Sequence, residues 1–123
     1  RESLPEMLAA ADLSLVTLDP CLSDTNVPSK TYSIMASARP ILAAVSPDNE
    51  VARLVREVEC GIWVPPDRPD DMARAILEAT QHPDRLERYG RNGRAYVVAH
   101  NARPMLTRRY HDLLHEVARS ATR

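Results

Sequence analysis

Pro40-Ile41-Leu42-Ala43-Ala44-Val45 is apolar at every position, so a strand built from it has no face to offer water. A strand with two apolar faces needs cover on both, which is the situation of a parallel strand between layers of helix. The flanking residues supply that cover. Upstream, a helix is predicted from Ser29, read as its N-cap, to about Ala38, with Pro40 as the stop. Downstream, Ser46-Pro47-Asp48-Asn49 caps a helix over Glu50 to about Glu59, and Gly61 stands where a left-handed residue after a helix is wanted. Ile62-Trp63-Val64 then reads as a short strand ended by Pro65-Pro66.

Further out the alternation continues. Leu4 to Ala11 has helical spacing, Leu13 to Leu18 is a run of strand type, and Asp19 to Val27 is a loop with Pro20, Asp24 and Asn26 as turn formers. After the last strand the chain is helical: Pro69 opens one helix with Asp70 and Asp71 in its first turn and Met72, Ala75, Ile76 and Ala79 as its apolar side. A second covers about Pro83 to His100, and a third about Pro104 to Arg119, before a tail, Ser120 to Arg123, expected to fray. Strands alternating with helices at these connection lengths imply right-handed crossovers. The expected fold is therefore α/β, a three-stranded parallel sheet with flanking helices, half of a doubly wound sheet, and residues 1–123 form part of one domain.

Composition narrows the function. The chain has 44% hydrophobic and 27% charged residues and a net charge of −1, which describes an ordinary globular protein with no basic field of the kind nucleic acid requires. No run of eighteen apolar residues and no charged-then-apolar leader occurs in these residues, and a chain that opens at Arg1 is expected to be a piece of something longer. Cys21 and Cys60, with no C-x-x-C pair, read as reduced thiols of a cytosolic protein. His111-Asp112-Leu113-Leu114-His115 has the spacing of a zinc helix, but its acid is Asp where Glu is needed and no third ligand follows, so no metal centre is expected. Leu106, Tyr110, Leu113, Leu114 and Val117 read instead as the packed stripe of that helix, flanked by the two His.

Of sixteen basic residues fifteen are Arg, and the single Lys is Lys30, in Val27-Pro28-Ser29-Lys30-Thr31-Tyr32 at a strand-to-helix junction. The N–H groups of a helix N-terminus converge on an anion there, and an ammonium on a flexible stem adds a point charge suited to phosphate. With glycine confined to Gly61, Gly90 and Gly93, no Gly-rich loop can cradle a phosphate. Any diphosphate would rest on the amides of Ser29 to Thr31 and on Lys30. No Ser-His-Asp arrangement or acid pair is evident, so no catalytic residue is assigned.

Leu4-Pro5-Glu6-Met7-Leu8-Ala9-Ala10-Ala11-Asp12-Leu13, then Pro28-Ser29-Lys30, Met35-Ala36, Arg39-Pro40 and Cys60-Gly61 running into Val64-Pro65-Pro66, resembles the C-terminal, donor-binding domain of family-4 glycosyltransferases with the GT-B fold. The resemblance implies the second half of that Rossmann-like domain, with the first half and the acceptor-binding domain outside these residues. It implies a nucleotide-diphospho-sugar donor, a UDP-sugar by the family branch, and transfer with retention to a glycan or lipid-linked acceptor in cell-envelope polysaccharide synthesis. No separate cofactor is implied. The location implied is cytoplasmic, at the inner face of the membrane if the other domain makes a peripheral contact. Asn26, Pro28, Ser29, Lys30 and Thr31 fall in the donor loop. The family's usual pair of Glu corresponds to Thr25 and Ser33, eight positions apart, and its usual Gly after Met-Ala corresponds to Ala38. Neither Thr25 nor Ser33 supplies charge, so ribose recognition departs from the family pattern.

Two alternatives stand beside it: a catalytically silent scaffold or partner-binding domain, which follows from those departures, and a generic nucleotide-binding half-Rossmann unit, for instance of a sugar-nucleotide epimerase sharing the GT-B fold. Residues 1–123 by themselves are expected to be inactive, and the Leu13–Leu18 strand is expected to present an open edge through which copies can associate.

Overall fold

The computed structural model describes residues 3–19 and 27–121. The elements in chain order are α1 (Leu4–Ala10), β1 (Ser14–Thr17), α2 (Ser29–Ala36), β2 (Ile41–Ala44), α3 (Glu50–Val58), β3 (Gly61–Val64), α4 (Pro69–Gln81), α5 (Pro83–His100) and α6 (Arg103–Ala121). Among the described residues the sheet has three parallel strands in the order β1-β2-β3, with Ser14 opposite Ile41 and Ile41 opposite Gly61. The expected fold class is thus the observed one, with most element ends within a residue or two of their predicted positions.

β2 is central and fully buried, which is why its sequence has no polar position. Its odd residues Ile41 and Ala43, continued by Val45, pack with Ile34 and Met35 of α2, Val51, Ala52 and Val55 of α3, and Tyr96 and Val97 of α5. The even residues Leu42 and Ala44 pack with Val64 and with Ala75 and Met72 of α4. Each fully buried Leu, Ile or Val side chain contributes about 1.5–3 kcal/mol. On the even side a groove of about 570 Å³ opens between the starts of β1 and β2 and the α4–α5 corner, lined by Leu13, Pro40, Ile76 and Leu86 among others.

α5 lies antiparallel along α2. A Cβ on Gly90 would collide with the Ala38 carbonyl, and one on Gly93 would crowd Met35 and Cys60. Arg94 donates to the Ala36 carbonyl, closing the C-terminus of α2. Asn92 Nδ2 does the same for the end of α3, donating to Glu59 O at 3.1 Å.

Several expectations are corrected. Pro28 occupies the N-cap of α2 and Ser29 is its first helical residue, because the Pro φ of −59° fits the approach to the helix. The left-handed residue after α3 is Glu59 (φ 51°), while Gly61 opens β3 with no positive φ. Gly61 answers a different demand: a Cβ there would strike the backbone of Ile41 on the paired strand. Asn49 caps α3 as expected, accepting from Val51 N at 2.8 Å. Ser120 and Ala121 continue α6, so the predicted fraying does not begin at Ser120. The stripe on α6 is not packed: Leu106, Tyr110, Leu113, Leu114 and Val117 are 38–69% exposed, since no described element lies over it. Cys21 and the turn formers Pro20, Asp24 and Asn26 lie outside the described residues.

Candidate functional site

In a parallel α/β sheet, ligands bind beyond the carboxyl ends of the strands, where loops run into helix N-termini. α2 follows β1 and precedes β2, so its N-terminus stands at that end of the sheet. No side chain caps it, and its first turn has no acid. The contrast with α1, α3, α4 and α5 is plain, since each carries Asp or Glu in its first turn: Glu6, Glu50, Asp70 with Asp71, and Asp84. α6 also lacks one, but it follows another helix, not a strand. No acid of the helix's own first turn offsets the positive end of the α2 dipole, and the residue beside it is Lys30.

Lys30 is exposed, and no hydrogen bond or ion pair engages its ammonium among the described residues. Thr31 is 0% exposed and its Oγ1 has no partner among the described residues, while its backbone N–H donates to Pro28 O at 2.9 Å. A buried hydroxyl without a partner costs about 1–3 kcal/mol, which a ligand or a neighbouring loop atom would recover. Ser29 is exposed and Pro28 half-buried at the same turn. Ser33 stands one turn further on, and its hydroxyl bends back to Ser29 O at 3.5 Å. The structure thus brings Pro28, Ser29, Lys30 and Thr31 together on one helix end, with Ser33 behind them. Thr25 and Asn26 lie outside the described residues.

Spacing gave no hint of what α5 adds. Gly90 lies at Ala38 and Gly93 at Met35, so the C-terminal turn of α5 rises toward the N-terminal turn of α2. Burial, with Tyr96 and Glu50 nearby, pushes the Tyr32 hydroxyl above its ordinary pKa, keeping it a neutral donor. Tyr96 and His100 hold their rings 4.6 Å apart on the last turn of α5. Trp63 Nε1 donates to Val45 O at 3.0 Å, and the Arg56 guanidinium sits 5.0 Å from its ring centre, fixing the carboxyl ends of β2 and β3. A rigid floor with a cationic helix end beside it can bind and orient an anion.

No group of three or more His, Cys, Asp or Glu able to hold a metal ion occurs among the described residues, and none of their helices is long and apolar enough to cross a membrane.

No family model matches the chain. In sequence it is 42% identical over 71 residues, 58% of its length, to "Probable glycosyltransferase WbjE" of Pseudomonas aeruginosa, and the match spans 18% of that relative. In structure it superimposes on the sucrose-phosphate synthase of Thermosynechococcus elongatus with a TM-score of 0.76 and 23% identity, over 93% of this chain and 27% of that one. The chain spans well under a third of the length of either protein. The structural likeness shows the fold, that of the GT-B glycosyltransferases.

Proposed function

We propose that the chain is the donor-binding part of a retaining hexosyltransferase, which takes a sugar from a nucleotide-diphospho-sugar, a UDP-sugar by preference, and passes it to a glycan or lipid-linked acceptor during cell-envelope polysaccharide synthesis. The observation that carries this reading is the uncapped, acid-free N-terminus of α2 at the carboxyl end of the sheet, with Lys30 beside it. Charge grows on the diphosphate as the glycosidic bond to it breaks. Fixed donors aimed at that charge, the Ser29–Thr31 amides and the Lys30 ammonium, stabilise it without reorganisation. On this reading the protein is cytoplasmic, the acceptor lies in a cleft against a second domain, and any contact with the inner membrane face belongs to that domain. The free edge of β1, where Leu15 is 48% exposed, would meet the first half of the sheet, or a second copy in its absence.

Calorimetry with UDP and GDP on the full-length protein tests the site. Lys30→Ala is expected to weaken diphosphate binding by about 1.5–3 kcal/mol, the range for a charge-assisted contact. Unchanged affinity for both nucleotides would remove the phosphate role. A second reading, the silent scaffold, is favoured by one observation: Ser33, where the family carries Glu, supplies no charge and turns its hydroxyl to Ser29 O on its own helix. It requires a full-length protein without transfer, in which Ser33→Glu restores nothing. Transfer by the unmodified full-length protein would exclude it.

A further inference from the structure

His111 and His115 project from successive turns of α6 and lie far along the chain from the α2 site. Their Nε2 atoms stand 3.1 Å apart, with ring centres at 4.3 Å. Two bonds of about 2.0–2.1 Å to one ion span about 2.9 Å at a right angle and about 3.4 Å at the tetrahedral angle, so a separation between these values is that of two atoms ready to share a cation. On the other side of the His111 ring, Nδ1 lies 3.5 Å from Asp112 Oδ1. A carboxylate close to the far nitrogen favours the proton on that nitrogen, which leaves Nε2 free to accept a cation. Asp112 and Glu116, with Arg119, line the same depression, so it carries a net negative charge. A hydrogen bond between the rings holds the pair in this geometry without metal, and the helix backbone has already fixed both side chains one turn apart.

We propose that His111 Nε2 and His115 Nε2 form a bidentate surface site for a borderline divalent cation, Zn²⁺ or Cu²⁺, completed by water. His115 moves its Nε2 proton to Nδ1 as the ion binds, so no co-reactant is needed. The site differs from a zinc-protease helix in both respects that the sequence gives: Asp112 supports a ligand and acts on no water, and two protein ligands suffice for binding without catalysis. Imidazole pairs select Cu²⁺ over Zn²⁺ and reject Mg²⁺, which demands oxygen ligands.

Calorimetric titration of the purified protein with ZnCl₂, CuCl₂ and MgCl₂ tests this. One equivalent of Zn²⁺ and of Cu²⁺ is expected to bind, Cu²⁺ the more tightly, and Mg²⁺ not at all. His111→Ala and His115→Ala are each expected to lower Zn²⁺ affinity at least about tenfold, the loss of one arm of a two-point attachment. Asp112→Asn should weaken it less, and His82→Ala should leave it unchanged. All these side chains are exposed, so far-ultraviolet circular dichroism and the melting temperature should match the parent and keep loss of binding distinct from loss of fold. Failure of the parent protein to bind Zn²⁺ and Cu²⁺, comparable binding of Mg²⁺, or undiminished binding in the His111→Ala/His115→Ala double variant would each overturn the assignment.

Discussion

Ile41 and Ala43 belong to a core that draws on α1, α2, α3 and α5, whereas Leu42 and Ala44, alternating with them on the same strand, belong to one that draws on α4 alone. All four residues are equally buried, yet the two sides of the sheet are built differently. On the odd side α5 presses on α2 so closely that Gly90 has no room for a Cβ and one on Gly93 would be crowded, and Cys60 and Met35 are sealed beneath it. On the even side α4 covers β2 and β3 with alanines, Leu15 of β1 is half exposed, and a groove remains. Burial of a central strand therefore says nothing about how tightly each of its faces is held. Interdigitation does, because a close-packed layer resists change in either direction of volume.

The sharpest way to break this comparison is Gly90→Val. Its side chain would meet the Ala38 carbonyl, a backbone atom that cannot rotate away, so α5 must lift off α2. A loss of about 3 kcal/mol or more in urea unfolding is expected. A loss below about 1 kcal/mol would mean that the odd side is as loose as the even one.

Next in size is an alkaline effect centred on Cys60. Burial pushes its thiol up to about 11, against an ordinary 9.0, while its own backbone offsets part of the shift. The folded-state pKa is the higher, so the unfolded chain loses its proton first. Stability is then fully present below about pH 9 and falls as pH rises toward 11, by up to about 2 kcal/mol. Melting temperature against pH should show this decline, and Cys60→Ala should flatten it. Tyr32, also raised, titrates at the alkaline end, so Tyr32→Phe separates the two. The thiol should also resist alkylating reagents at pH 8 until the protein unfolds.

Smaller, and of opposite sign, is Ala38→Gly. Ala38 adopts φ 58° between α2 and Arg39, where a Cβ is strained and the family pattern has Gly. Relief of that strain, less the extra freedom of Gly when unfolded, is expected to stabilise by about 0.5–1 kcal/mol. A destabilised variant would show that the Ala38 methyl is held by packing against α5. Smallest is Leu15→Ser on the open side, expected to change stability by no more than about 0.5 kcal/mol. A cost near 2 kcal/mol would show that something covers that face in solution.

The sheet was readable because its evidence is local. Six consecutive apolar residues at Pro40–Val45 have few alternatives to a doubly covered strand, and Asn49 and Pro69 sit at helix starts for reasons of their own side chains. Gly61 was misread because the residue type is right for either role: a left-handed turn and a close backbone approach both want glycine, and only the Ile41 pairing distinguishes them. At the candidate site Lys30 stood out by composition, whereas the buried Thr31 hydroxyl and the approach of Tyr96 and His100 depend on α5 crossing back over α2. α6 was the clearest miss. Its stripe has a regular amphipathic spacing, and that periodicity specifies a helix without specifying a neighbour.

By itself, then, the sequence determined the α/β class and the order of the elements, and singled out Lys30 at the start of α2, since these rest on residue type and spacing within a few turns of chain. Tertiary structure alone decided which side of β2 is closely held, why Gly61 and Gly90 must lack a Cβ, and that the α6 stripe stays open, because each depends on contacts between segments that no local pattern relates.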